Sequence, residues 1–131
     1  MLEQKAIEIL ESKGFERYYS ENQFTVDYTK IDSEDIDSDY NIQINLKEYK
    51  VSSSLIVSIK MNNEVIGSLT LKTYNEIENT ISLLCELAIR HHRQIAAVES
   101  ENEVDEFAES TKAHYLEKAK KTSINALRAI A

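Results

Sequence analysis

The chain of 131 residues contains no proline, no tryptophan, two glycines and one cysteine. The lone cysteine, Cys85, excludes a disulfide within the chain and suits a reducing cytoplasm. Two glycines are too few for a phosphate-binding loop, a dinucleotide fingerprint or a nucleophile elbow. Scarce glycine and absent proline also leave no candidate linker, so we expect residues 1–131 to form a single domain.

Long apolar runs are missing as well. No segment approaches the length that spans a bilayer, and the N-terminal MLEQKAIEILESKG is charged throughout, unlike a signal peptide. Hydrophobic residues make up 42% and charged residues 29% of the chain, which are ordinary proportions for a soluble domain. We therefore predict a cytoplasmic protein that does not bind a membrane.

The spacing of apolar residues changes along the chain. Residues 2–13 have helical spacing and are followed by Gly14, which readily adopts the left-handed backbone of a helix terminus. Apolar and polar residues then alternate in four runs, at 24–28, 40–46, 55–61 and 67–71. One-sided alternation of this kind predicts an antiparallel sheet with one buried face and one face in solvent.

From residue 75 onward the chain has neither glycine nor proline and returns to helical spacing. Asn75 followed by Glu78, and Ser100 followed by Glu103, both fit the start of a capped helix. We therefore predict two long helices that turn near residues 100–102. The expected fold class is α+β, with a short N-terminal helix and a four-stranded antiparallel meander in residues 1–74 and a long C-terminal helical hairpin in residues 75–131.

A buried seam is predicted on the first long helix, where small or apolar positions recur every three or four residues. Each long helix would measure roughly 40 Å, which is more than a small sheet can cover. We therefore expect the seam to pack on a second copy of the chain and to form a homodimer. The seam consists of Ile81, Leu84, Ala88, His91, Ile95 and Val98.

His91 is the one histidine in this seam, and its commonest role would be structural. Its ring nitrogens would be satisfied by the facing helix, through Thr111 or His114. We place His92 one position off the seam, nearer the surface. If His91 is buried and neutral, its protonation at about pH 6 would loosen the hairpin or the dimer.

One acidic stretch partly resembles the calcium loop of an EF-hand. Asp35, Asp37 and Asp39 occupy its first, third and fifth positions. Tyr40 and Leu46 replace the glycine and the bidentate glutamate that wrap the ion, so we interpret the stretch as a polar hairpin loop.

A second pattern, at Glu48 and Lys50, resembles the end of the signature of restriction-type nucleases, in which two carboxylates hold a metal ion that activates water. The second carboxylate would have to come from Asp27 or Asp32. The match is short and the net charge opposes DNA binding, so a metal-dependent nuclease is only a remote alternative. Cys85 lies in an apolar helix, where a thiol is normally inert. We expect no catalytic residue, no metal site and no cofactor.

Charge is the most informative feature of the chain. It contains 23 acids and 15 bases, a net charge of −8, so we expect no direct binding to nucleic acid. Two segments, 32–39 and 99–109, contain acids and no base. They are either solvated loops or an acidic surface that occupies a basic surface of another protein. The acids predicted to contact such a partner are Asp32, Glu34, Asp35, Asp37, Asp39, Glu99, Glu101, Glu103, Asp105, Glu106 and Glu109.

These features predict a small, acidic, non-enzymatic protein-binding module. In size and composition the chain resembles phage or mobile-element inhibitors of host nucleic-acid machinery, such as anti-CRISPR or other anti-defence proteins, which would imply mimicry of nucleic-acid phosphates. The alternative is a dimeric acidic chaperone for assembly or secretion, which would hold its client through apolar surface. The two differ in the expected salt dependence of binding, because salt screens charge–charge attraction and leaves apolar contacts in place.

Overall fold

The computed structural model describes residues 2–17, 23–26, 42–61, 64–101 and 106–130, with the backbone alone at 23–26, 99–101 and 106–109. These residues form three helices and five strands, so the predicted α+β class is confirmed. The elements in chain order are α1 (Leu2–Ser12), β1 (Phe15–Arg17), β2 (Gln23–Val26), β3 (Ile42–Tyr49), β4 (Ser54–Met61), β5 (Glu64–Leu71), α2 (Tyr74–Glu101) and α3 (Glu106–Ile130).

The strands form one antiparallel sheet in the order β1-β2-β3-β4-β5, so each strand pairs with the next one along the chain. The predicted number of four strands is wrong, because the described residues contain five. The additional strand, β1, is three residues long and pairs only with β2. In three residues, the alternation of apolar and polar side chains is too short to distinguish a strand from a loop. Residues 27–41, which include parts of two predicted strands, lie outside the described residues.

Side chains of β3 and β4 alternate between a buried face and a solvent-facing one, as predicted. The buried face, at most 3% exposed, consists of Ile42, Ile44, Leu46, Leu55, Val57, Ile59 and Met61. The opposite face is partly or fully exposed and carries Gln43, Asn45, Lys47, Ile56, Ser58 and Lys60. Helices α1 and α2 pack on each other and join the buried face in one hydrophobic cluster.

Helix α1 ends where the sequence predicts. Gly14 has a φ of 89°, and its N–H donates to the carbonyl of Glu11 at 3.1 Å. A left-handed residue at this position lets the chain reverse into β1 without a Cβ clash. Phe15 then places its ring in the core, where it is 2% exposed.

Both predicted starts of the long helices are corrected. Helix α2 is capped by Thr73, whose Oγ1 accepts a hydrogen bond from the Glu76 N–H at 3.1 Å and donates to Glu76 Oε1 at 2.9 Å. The bond to the Glu76 N–H makes Thr73 the N-cap of α2, two residues before the predicted Asn75. Ser100 is not a cap, because α2 continues through it to Glu101. Within the described residues, none of the helices is both long enough and apolar enough to cross a membrane.

Helix α3 packs on α2 and on β5, and its Leu127 lies close to Gly67 of β5. A Cβ added at Gly67 would lie 2.9 Å from Leu127 Cδ1. We expect Gly67→Ala to lower the free energy of unfolding by about 1 kcal/mol, because the Leu127 side chain must move. In a Leu127→Ala background the same change should be neutral or stabilising, since it then only restricts the unfolded chain. Urea unfolding of the four proteins of this cycle measures the coupling, and strictly additive effects would contradict the contact.

Candidate functional site

Two adjacent histidines lie at the centre of α2, and both are buried. His91 is 2% exposed and His92 is 1% exposed, with their ring centroids 5.7 Å apart. Burial of His91 is as predicted from the seam. The expectation that His92 lies nearer the surface is wrong. Helix α2 packs on α1, on β3 and on α3, so it buries a wider stripe than a single line of positions three or four residues apart.

His92 connects α2 to the first residue of β3. Its Nε2 atom accepts a hydrogen bond from the backbone N–H of Ile42 at 2.9 Å. Burial lowers the pKa of His92 from 6.5 to about 3, because desolvation penalises the charged ring. The ring is therefore neutral at physiological pH, with its proton on Nδ1. His92 therefore satisfies a buried backbone donor.

His91 faces α3 at a cleft that lies further along that helix than the predicted Thr111 and His114. It lines a cleft together with α3 residues in the range 118–122, one turn beyond His114. His114 is exposed, and its ring lies 6.0 Å from that of Tyr115. The predicted turn at 100–102 is too early, because α2 continues to Glu101 and α3 starts only at Glu106. The facing residues are shifted accordingly.

Cys85 is the one thiol of the chain, and it is fully buried in the hydrophobic cluster. Burial raises the pKa of the Cys85 thiol from 9.0 to about 12. The protonated form is therefore the only one populated at neutral pH, and it is a poor nucleophile. This geometry supports the predicted role of Cys85 in packing.

Glu48, the acid of the nuclease pattern, contacts the start of a helix. Its Oε1 atom accepts a hydrogen bond from the backbone N–H of Glu3 at 3.3 Å, in the first turn of α1. A carboxylate at this place satisfies an otherwise unpaired helical donor and interacts favourably with the helix dipole. Lys50 lies in the exposed turn after β3, while Asp27 and Asp32 lie outside the described residues.

The calcium pattern does not form an ion-binding loop in the part that is described. Leu46, at the position of the bidentate glutamate, is 1% exposed on the buried face of β3. Asp35, Asp37 and Asp39 lie outside the described residues. Across the described part of the chain, no group of three or more histidine, cysteine or acidic side chains converges on a common point.

All six seam residues are buried within one chain. Ile81, Ala88 and Ile95 are 0% exposed, Leu84 and His91 are 2% exposed, and Val98 is 7% exposed. Helices α1 and α3 and the buried face of the sheet pack against α2. In this arrangement the seam has no surface to offer to a second copy, so a homodimer would have to use other faces.

The predicted partner-binding acids cannot be placed as side chains. Segment 32–39, with Asp32, Glu34, Asp35, Asp37 and Asp39, lies outside the described residues, as do Glu103 and Asp105. Glu99 and Glu101 belong to the last turn of α2, and Glu106 and Glu109 to the first turns of α3, where the backbone alone is described.

The points where these two segments join the fold can be placed, and they lie at the same end of the molecule. Thr25 of β2 pairs with Gln43 of β3, so the chain leaves β2 and enters β3 at one end of the sheet. Helix α2 starts after β5 at the opposite end and reaches Ile42 at residue 92, where His92 contacts it. It then continues for nine residues to Glu101, about 14 Å further. We call the Ile42 end of the sheet and the last turns of α2 the distal end.

Sequence analysis did not predict the burial of several polar residues, among them His92 and Lys112. The burial of His92 could have been predicted, because His92 directly follows a seam position. A helix that packs against neighbours on several sides also buries the positions next to its seam. Lys112 of α3 is 4% exposed, and no local feature of the sequence distinguishes it from the exposed lysines of the same helix. Its burial depends on what packs around it.

A comparison of the chain with protein-family models, with curated proteins and with solved structures found no match. Functional inference for this protein therefore depends on its own residues and on their placement in the fold.

Proposed function

We propose that this protein is a non-enzymatic binding module whose distal end holds the basic surface of another protein. The supporting observation is that both acid-only segments join the fold at that end. Segment 32–39 lies between Val26 and Ile42, and segment 99–109 joins α2 to α3. Two segments 60 or more positions apart in the chain can therefore approach one partner together.

The distribution of charge supports the same proposal. The two segments contain eleven of the 23 acids, which leaves twelve acids against 15 bases in the rest of the chain. Without them the net charge changes from −8 to +3. A concentrated negative field attracts a basic groove and excludes acidic partners, which is how charge gives specificity and fast association.

A basic groove of this kind commonly serves to bind nucleic-acid phosphates. The narrower proposal is therefore an inhibitor of nucleic-acid machinery, of the anti-defence kind that phages and mobile elements encode. In that role the carboxylates would occupy positions that phosphates otherwise fill, and the helices would hold the two segments in a common orientation.

The chaperone alternative rests on a different surface. Ile66 and Leu69 of β5 line a cleft of about 260 Å³ with Ile124 and Leu127 of α3. A client held there would be bound through apolar contacts. Its affinity would change little with salt, since screening acts on charges and not on apolar surface.

The decisive experiment reverses charge at the distal end. We expect a variant with Glu101, Glu103, Asp105 and Glu106 changed to lysine to lose capture of the partner from a host lysate. Capture by the wild type should weaken steeply between about 0.05 and 0.5 M salt, where the Debye length falls from about 14 to 4 Å.

A matched control variant carries the same change in net charge at four positions outside the two acid-only segments. Glu64, Glu78, Glu86 and Glu117 are all exposed and lie outside the two segments. Their reversal to lysine should leave capture within about threefold of the wild type. Equal loss in the two quadruple variants would show that only net charge matters, and salt-insensitive capture would favour the apolar cleft.

A further inference from the structure

A small cleft lies between the two long helices, and its lining residues differ from those of the apolar cleft at β5. Its volume is about 110 Å³. It is lined by Arg90, His91 and Gln94 of α2 and by Lys118, Ala119 and Thr122 of α3.

Apart from His91, the polar lining comes from two pairs of residues, each pair four positions apart. Arg90 and Gln94 lie one turn apart on α2, and Lys118 and Thr122 lie one turn apart on α3. The Thr122 hydroxyl donates to the carbonyl of Lys118 at 2.9 Å, so its proton is already used. The donors that face a ligand are therefore a guanidinium, a carboxamide and an ammonium group.

The lining of this cleft is positively charged, whereas the chain as a whole is negatively charged. The described lining has two cations and no carboxylate, although the whole chain has a net charge of −8. Arg90 and Lys118 border the same space from facing helices, so an anion bound there would be attracted to both of them.

The size of the cleft suits a tetrahedral oxyanion. Ala119 contributes only a methyl group, and this small side chain leaves the space between the helices open. A volume of about 110 Å³ is several times the space that a single water molecule requires, so it can hold a group as large as phosphate. His91, which is 2% exposed, forms a buried wall of this space.

We infer that this cleft binds a phosphoryl group, either as inorganic phosphate or as the phosphate of a small phosphomonoester. Arg90 supplies a planar fork that donates two parallel hydrogen bonds to phosphate oxygens. Lys118 supplies the second positive charge from the facing helix, and Gln94 supplies a neutral donor. Such binding would hold α2 and α3 together and does not depend on the protein partner proposed above.

The test is a titration followed by ¹H–¹⁵N NMR at constant ionic strength, with inorganic phosphate and with glycerol 3-phosphate as probes. We expect saturable shifts confined to the amides of residues 87–94 and 118–122. Arg90→Gln and Lys118→Gln should each raise the dissociation constant at least about tenfold, because each removes a charge-assisted hydrogen bond. Both side chains are exposed, so neither variant should disturb the fold.

Matched controls remove the same charges elsewhere on α3. Lys121 and Arg128 are exposed and do not line this cleft. Lys121→Gln and Arg128→Gln should leave the dissociation constant within about twofold of the wild type. Shifts that spread over the surface without saturating, or equal losses in Lys121→Gln and Lys118→Gln, would overturn the inference. Binding of inorganic phosphate alone would identify the free ion as the ligand, and binding of both probes would identify the phosphomonoester group.

Discussion

When the pH is lowered from about 8 to about 5, the free energy of unfolding of the wild-type protein should fall by about 2 kcal/mol more than that of the His92→Gln variant. The pKa of His92 is 6.5 in the unfolded chain and is lowered by burial to about 3 in the folded one. Above pH 6.5 the ring is neutral in both states, and the contribution of His92 to stability is complete. As the pH falls below 6.5, only the unfolded chain takes up this proton, so stability is lost progressively toward about pH 3.

Glutamine is the informative substitution because its amide oxygen can accept the Ile42 N–H and does not titrate. Urea unfolding at each pH measures the difference in free energy of unfolding between the wild type and His92→Gln. The acid sensitivity that carboxylates contribute is the same in both proteins and cancels in this difference. His114→Gln, which makes the same substitution at an exposed position, is the control. Parallel profiles for the wild type and His92→Gln would mean that His92 is not buried and neutral.

Replacing Ile81 with alanine should lower the free energy of unfolding by about 2–5 kcal/mol at every protein concentration. Ile81 is 0% exposed and belongs to the cluster that joins α1, α2 and the sheet. Its truncation removes buried apolar area and leaves a cavity that the packed helices cannot fully close. Because the chain itself covers the seam, the loss should not depend on a second copy.

Ile130→Ala makes the same chemical change at a residue that is 37% exposed, and it should cost less than about 1 kcal/mol. Thermal unfolding over a hundredfold range of concentration, with light scattering on the native protein, separates the two roles of the seam. A thermal unfolding midpoint that rises with protein concentration, together with a small effect of Ile81→Ala, would show that the seam is an interface between two copies of the chain.

The elements that could be predicted are those in which one residue or one spacing decides the local structure. Alternation in β4 follows from Leu55, Val57 and Ile59, because successive strand side chains point to opposite faces. Gly14 ends α1 because it lacks a Cβ. The stripe that contains Ile81 and Ala88 is buried because residues three or four positions apart share one helix face.

Predictions were wrong where two local solutions fit equally well. Thr73 with Glu76 and Asn75 with Glu78 have the same spacing, and only the path of the chain from β5 into α2 selects the first pair. Strand β1 was missed because its three residues form a strand only through their pairing with β2.

For the candidate sites too, some features can be predicted from the sequence and others depend on the tertiary structure. The two acidic segments can be read directly from the sequence, but their attachment at one end cannot. That placement depends on the pairing of β2 with β3 and on the contact between Ile42 and His92, which are 50 positions apart. Likewise, no local pattern joins Arg90 to Lys118, and the cleft between them exists because α2 and α3 pack together.

By itself, the sequence determined the class of the fold, the burial of the helical seam, the inert thiol of Cys85 and the concentration of negative charge in two short segments. These properties follow from backbone periods, side-chain polarity and net charge, which act between near neighbours or add over the chain. The tertiary structure alone decided that His92 is a neutral hydrogen-bond acceptor, that the seam is covered within one chain, and that a cationic cleft forms between α2 and α3. Those outcomes depend on desolvation and on contacts between distant residues, and both arise only when the elements pack.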